Sequence, residues 1–206
     1  MPLSFFQGQT MASEVGICSN ALRKLGDDPI TSLTDNSDRA RLCNNIYPEV
    51  RNELLSLRNW NFAITRTDLA RLSDAPAFTW TYQFQLPSDH IRPIKMSEVE
   101  EDYVIEGDKV LTDAETLNLI YLKKETDPNK YSPLFISALE ARLAAELAYP
   151  ITGDVNLQTM WNQLADKKLS EAGYIDAISE GTPLELWSED LVNTRTNDTG
   201  YTVSRR

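Results

Sequence analysis

The sequence predicts an α+β protein: a bundle of about four helices with a small antiparallel β-sheet inserted between the second and third, and an extended C-terminal arm. Three observations predict it. Apolar residues recur at three- and four-residue spacing up to residue 58 and again from residue 131. Between about 60 and 125 the period falls to two, as in half-buried strands. Beyond about 180 neither period persists. One domain is therefore expected over residues 1–179, with helices in 13–58, sheet in 60–125 and helices in 131–178; the arm covers 180–206.

The first helix is expected over 13–25. Val15, Cys18, Leu22 and Leu25 form its stripe, Ser13 caps it and Gly26 stops it. DDPITSLTDN, residues 27–36, reads as a turn-rich connector. A second helix begins near Ser37 and buries Cys43, Ile46, Tyr47, Val50, Leu54 and Leu57. Pro48 lies inside it; an interior proline costs about 3 kcal/mol, so a bend or two shorter helices are expected. In RNWNFAITRTDLARL, residues 58–72, Trp60 and Phe62 mark the change of period. Large aromatics bury ~150–250 Å² each, which suits the seam between a helical layer and a sheet better than a ligand platform.

In the middle of the chain, Trp80, Tyr82, Phe84 and Leu86 alternate with Thr81, Gln83 and Gln85 as one strand. DYVIEGDKVLTD reads as a hairpin turning at Gly107-Asp108, and LNLIYLKKE as a further strand. The third helix, 131–149, carries Phe135, Leu139, Leu143 and Leu147 on one stripe. Ala138, Ala141, Ala144, Ala145 and Ala148 keep it slim for close packing, and Pro150 is expected to end it. The fourth, 153–178, turns Leu157, Met160, Trp161, Leu164, Ala165, Leu169 and Ala172 inward, with Gly173 weakening its last turns. The arm holds one apolar group, Leu184, Leu186, Trp187 and Leu191, which it cannot bury by itself. These four are the expected partner-interface residues, meeting another subunit.

Little of the chain points to chemistry. Lys and Arg number 20 against 31 Asp and Glu, a net charge of −11, and no basic run stands out. Such a balance argues against general nucleic-acid binding, which needs cations to replace counterions. The two cysteines, Cys18 and Cys43, fall on apolar stripes and read as small buried hydrophobes; two thiols alone make no structural zinc site. His90, the one histidine, sits in LPSDHIRPI between Pro87 and Pro93, where a solvated turn is expected. Any Ser-His-Asp or Cys-His arrangement must use it. GxSxG, GxxxxGK[ST] and GxGxxG motifs do not occur. No catalytic residue, cofactor or metal is expected. The remaining route to catalysis is the carboxylate run Glu98, Glu100, Glu101 and Asp102, since a carboxylate pair can hydrolyse glycosides. Its local spacing and polar surroundings favour a solvated loop. MPLSFFQGQT lacks the basic and apolar regions of a signal peptide, and no stretch approaches the ~18 apolar residues of a membrane span, so a soluble protein made in the cytoplasm is expected.

The segment ICSNALRKLGDDPITSLTDNSDRARLCNNIYPEVRNELLSLRNWNFA resembles the start of the tail tubular protein A family of short-tailed bacteriophages. The marks are a short helix ending in Leu25-Gly26, the connector Ile30-x-Ser32-Leu33-x-Asp35, Arg51 with Glu53-Leu54-Leu55, and Trp60-Asn61-Phe62-Ala63. YQFQLPSDHIRPI, YVIEGDKVLTD and LFISALEARLAAELAYPITGD are similar to the same family, and the likeness covers about residues 14–165. It implies a non-enzymatic head-to-tail adaptor. Members form a ring, usually of twelve copies, between the portal protein and the tail nozzle protein, with tail fibres attached around the junction. The resemblance further implies a place at the head–tail junction of the virion, assembly in the host cytoplasm, and DNA passing through without specific binding and without a membrane. Two rivals are a tail-associated polysaccharide hydrolase using the carboxylate run, and the head-completion connectors of long-tailed phages. The inserted sheet of about 65 residues favours the short-tailed family over that mostly helical class.

Overall fold

A computed structural model describes residues 12–97 and 102–179. The expected arm, with Leu184, Leu186, Trp187 and Leu191, and three of the four clustered carboxylates, Glu98, Glu100 and Glu101, lie outside the described residues. The α+β class is as expected, built among the described residues from four helices and two small antiparallel sheets.

Helix α1 (Glu14–Lys24) starts where Ser13 Oγ accepts from the Gly16 amide at 3.0 Å. Helix α2 (Asp38–Leu57) starts in the same way, with Ser37 Oγ accepting from Ala40 at 3.2 Å. It runs unbroken through Pro48, so of the two outcomes expected there, a bend or two shorter helices, the division into two does not occur. The carbonyl that loses its donor there belongs to Asn44, on the solvent face, where water can satisfy it. The buried stripe also shifts by the end of α2: Leu54 and Leu55 are buried and Leu57 is exposed.

Helix α3 (Pro133–Thr152) is capped by Ser132 and begins on Pro133. Pro150 does not end it. It occupies the last turn, and the helix stops at Gly153, whose φ of 69° is the left-handed conformation that closes a helix. Helix α4 (Val155–Ser179) packs along α3 and fully buries Ala165, Ala172 and Gly173. Met160, expected inside, points outward with Val155, Tyr174, Ile175 and Ile178. Gly173 does not cut α4 short. The Arg58 side chain lies against it, in the space a Cβ would take, so a larger residue there would have to displace Arg58.

Seven strands follow α2: β1 (Ile64–Asp68), β2 (Ala70–Arg71), β3 (Tyr82–Gln85), β4 (His90–Ser97), β5 (Tyr103–Glu106), β6 (Lys109–Thr112) and β7 (Asn118–Lys123). They form two sheets, ordered β1-β7-β4 and β2-β3-β6-β5, where the sequence suggested one. The break falls at Leu69, a buried residue between β1 and β2 whose amide donates to the Leu117 carbonyl at 2.8 Å. Turning there lets the sheets share a second core of Leu69, Phe84, Leu86, Met96, Val110, Leu117, Leu119 and Tyr121. Trp80 precedes β3 instead of joining it, and the alternation fails at Gln83, which is buried and donates its amide to the Asp74 carbonyl at 2.8 Å.

Strand β7 belongs to both cores: Leu119 and Tyr121 face the sheets, and Leu122 enters the helical core. The helical core closes around four aromatics. Trp60 meets Phe135 edge-on at 4.9 Å, and Phe62 lies 5.1 Å from Phe135 and 5.5 Å from Tyr131. Trp60 is wholly buried, as the seam reading requires, and its indole N–H donates to the Leu54 carbonyl at 2.9 Å. That carbonyl is one of those the end of α2 leaves without a helical partner.

Trp60→Ala is expected to cost ~3–5 kcal/mol through the cavity it leaves. Trp60→Phe should cost less while still orphaning the Leu54 carbonyl, on the order of 1 kcal/mol for the lost bond. Chemical denaturation of both variants checks the order; a Trp60→Ala protein as stable as the parent contradicts the seam.

Candidate functional site

An open cleft of about 570 Å³ lies where the two sheets meet. The end of β1 supplies Thr67 and Asp68, the end of β3 Gln85, the β3–β4 connector Ser88, the start of β4 His90 and the β5–β6 turn Asp108. His90 is thus not a loop residue in water. It is the first residue of β4, half-buried, with ring Nδ1 2.8 Å from the Pro87 carbonyl. A carbonyl only accepts, so Nδ1 carries the proton. In a Ser-His-Asp arrangement a carboxylate holds that N–H; here the main chain does, although Ser88 and two aspartates line the same cleft. Gln85 Nε2 donates to Asp108 Oδ2 at 2.9 Å and to the Asp108 carbonyl at 3.0 Å, so the amide clasps the turn. That bond holds the Asp108 carboxyl below its ordinary range. Gln85 thereby ties the β5–β6 turn to the end of β3 beside the cleft.

Of the acidic run, Asp102 is described and exposed, and its carbonyl accepts from Thr112 Oγ1 at 3.1 Å. Among the described residues no group of three or more His, Cys, Asp or Glu is placed to hold a metal ion. Cys18 in α1 and Cys43 in α2 are both fully buried and free. The neighbouring Cys43 side chain and burial push the Cys18 thiol far up, the opposite of a reactive cysteine. Among the described residues no helix is long and apolar enough to cross a membrane.

Two polar arrangements escaped the sequence reading. Glu125 is buried just after β7, accepts from the amides of Thr126 and Asp127, and pairs with Lys130 at 2.8 Å. Its main-chain carbonyl takes the Tyr131 hydroxyl at 2.9 Å. Burial raises its pKa, but Lys130, the Asp127 amide and Lys123 outweigh that and leave it below the ordinary value of 4.5. Arg51, also buried, reaches Glu14 at 3.4 Å and stacks over the Tyr47 ring at 5.7 Å. A lone Glu in ETDPNKY gives no hint that it will be buried, and Arg51 sits at a helix position that reads equally well as surface.

The exposed apolar residues form the other distinctive feature. β5 presents Tyr103, Val104 and Ile105 to solvent, and Phe78 projects from the loop before β3. Next to Phe78, Thr79 has φ +72°, a strained conformation for a β-branched residue. No protein-family model matches the chain, and no curated protein matches it at a significant level.

Glu125→Gln should lower stability at neutral pH and flatten its acid limb. A folded-state pKa below the unfolded value of 4.5 means the group stabilises the fold above that pH and ceases to as pH falls through the folded value. Thermal melts of parent and variant from pH 7 to pH 3 should converge at the acid end; parallel curves contradict this.

Proposed function

We propose that the chain is a structural subunit of a phage head-to-tail adaptor: a ring, of twelve copies, between the portal and the tail nozzle, with tail fibres around it and DNA passing through its centre. The observation that carries this reading is the ordered resemblance over residues 14–165. Its motifs fall on the fixed points of the fold. Leu25 caps α1, Trp60 through Ala63 form the seam, Gly107 turns the β5–β6 hairpin, and Ala138 and Ala144 of α3 line the helical core. The work of such a subunit is to hold shape and present surfaces. The exposed apolar residues of β5, of the Phe78 loop and of the outer face of α4 suit that work.

Charge supports the same role. A duplex carries one charge per about 1.7 Å of axis, so a cationic channel grips it at many points. A net charge of −11, repeated in every copy, keeps DNA moving. An acidic or neutral lumen follows from this reading.

Light scattering of the purified protein, with and without portal protein, is expected to give a ring-sized mass in at least one condition; a monomer in both rejects the adaptor. Truncation after Glu180 should leave a folded domain that assembles poorly, because Leu184, Leu186, Trp187 and Leu191 each need burial worth ~1.5–3 kcal/mol. A truncated protein that assembles like the parent removes the arm from the interface. The assembled ring should bind duplex DNA weakly; tight, salt-sensitive binding contradicts an acidic lumen.

A further inference from the structure

Sheet edges are open templates for another strand, and natural proteins blunt them. Most edges here are blunted. β2 has two residues, and its Arg71 guanidinium lies over the Tyr82 ring at 4.9 Å. β4 breaks register twice and carries Pro93 and Lys95. β1 bears Arg66 and Asp68. β5 carries no lysine, proline or bulge: its four residues pair with β6 in unbroken register.

The hairpin also fixes which backbone groups of β5 are free. The turn has two residues, Gly107 with φ +62° first, so Glu106 and Lys109 exchange hydrogen bonds and so do Val104 and Leu111. Tyr103 and Ile105 therefore direct their N–H and C=O groups away from β6. Among the described residues no strand pairs with that side. The side chains along it, Tyr103, Val104 and Ile105, are 44%, 40% and 37% exposed.

Charge selects the occupant. Asp102 and Glu106 bracket the strand, so two copies of β5 pairing antiparallel bring carboxylates together. A strand carrying basic residues fits instead. Residues 199–206, TGYTVSRR, have that character: Tyr201 and Val203 alternate with Thr202 and Ser204, followed by Arg205 and Arg206. The other apolar segments match less well. Residues 184–191 carry Glu185, Glu189 and Asp190, and residues 1–11 carry no charged side chain. From Ser179 to Tyr201 the chain can span on the order of 70 Å at full extension, enough to reach an adjacent subunit.

We infer that the outer edge of β5 receives residues 201–206 of a neighbouring copy as an added strand. Main-chain bonds to Tyr103 and Ile105 supply affinity, and Arg205 and Arg206 meet the carboxylate at the end of β5 they reach, Asp102 or Glu106 according to the direction of the added strand. The inference rests on the ring reading.

The test mixes two full-length chains, one with Ile105→Cys and one with Thr202→Cys or Val203→Cys, under mild oxidation. The native thiols are buried and do not compete. A cross-linked heterodimer with one of the two partners is expected. No cross-link, or one formed only within a doubly substituted chain at monomer mass, overturns the inference. Arg205→Glu with Arg206→Glu should raise the concentration for half-assembly about tenfold. Ile105→Pro should do the same with an unchanged melting temperature, because β6 does not use the Ile105 N–H. If the parent forms rings but shows no cross-link and both variants assemble like it, the edge is refuted and the adaptor stands. If the parent never assembles, alone or with portal, the adaptor reading falls as well.

Discussion

The aromatic contact between the end of α2 and the start of α3 is the constraint on which the rest of the fold depends. The chain leaves the helices at Trp60 and returns at Tyr131, with seven strands between. Closing a segment of about 70 residues costs roughly 4 kcal/mol in chain entropy. Edge-on aromatic pairs contribute ~0.5–1.5 kcal/mol each beyond the area they bury. Trp60 on Phe135, Phe62 on Phe135 and Tyr131 on Phe135 together offset most of that cost. The exit and the return are thereby pinned at one point, and Glu125 adds a polar staple beside it through Lys130 and Tyr131. With both ends fixed, the sheets need only fold over each other to bury their inner faces.

The helices were legible because their signals are local. Ser13 caps α1 as expected, α2 begins at the expected Ser37, and the Gly107-Asp108 turn forms the expected hairpin. Trp60 was legible as a seam because a large apolar ring at a change of period has few other roles. What failed depends on where each residue sits in the folded molecule. Pro48 is tolerated because Asn44 faces water, and Pro150 because α3 has only one turn left to lose. Met160 points outward because α3 flanks α4 along one side only. One sheet became two because Leu69 bonds to Leu117, a contact that no alternation pattern encodes.

The candidate site was less legible still, for the same reason. His90 was expected in water and instead anchors the start of β4 through Pro87. The buried ions, Glu125 and Arg51, are invisible in a sequence because their burial is decided by the elements that close over them. The exposed edge of β5 could be read in part. Tyr103-Val104-Ile105 between Asp102 and Glu106 is a strand signal fenced by acids, but which side it leaves open follows only from the turn.

The double membership of β7 gives the molecule a particular mechanical character. β7 is the middle strand of its sheet, held antiparallel by β1 on one side and β4 on the other, with Leu119 and Tyr121 set in one core and Leu122 in the other. A load along β7 must shear two ladders of main-chain bonds at once, not peel one away bond by bond. The sheets and the helices therefore resist being drawn apart along that axis and yield more readily to a pull across it.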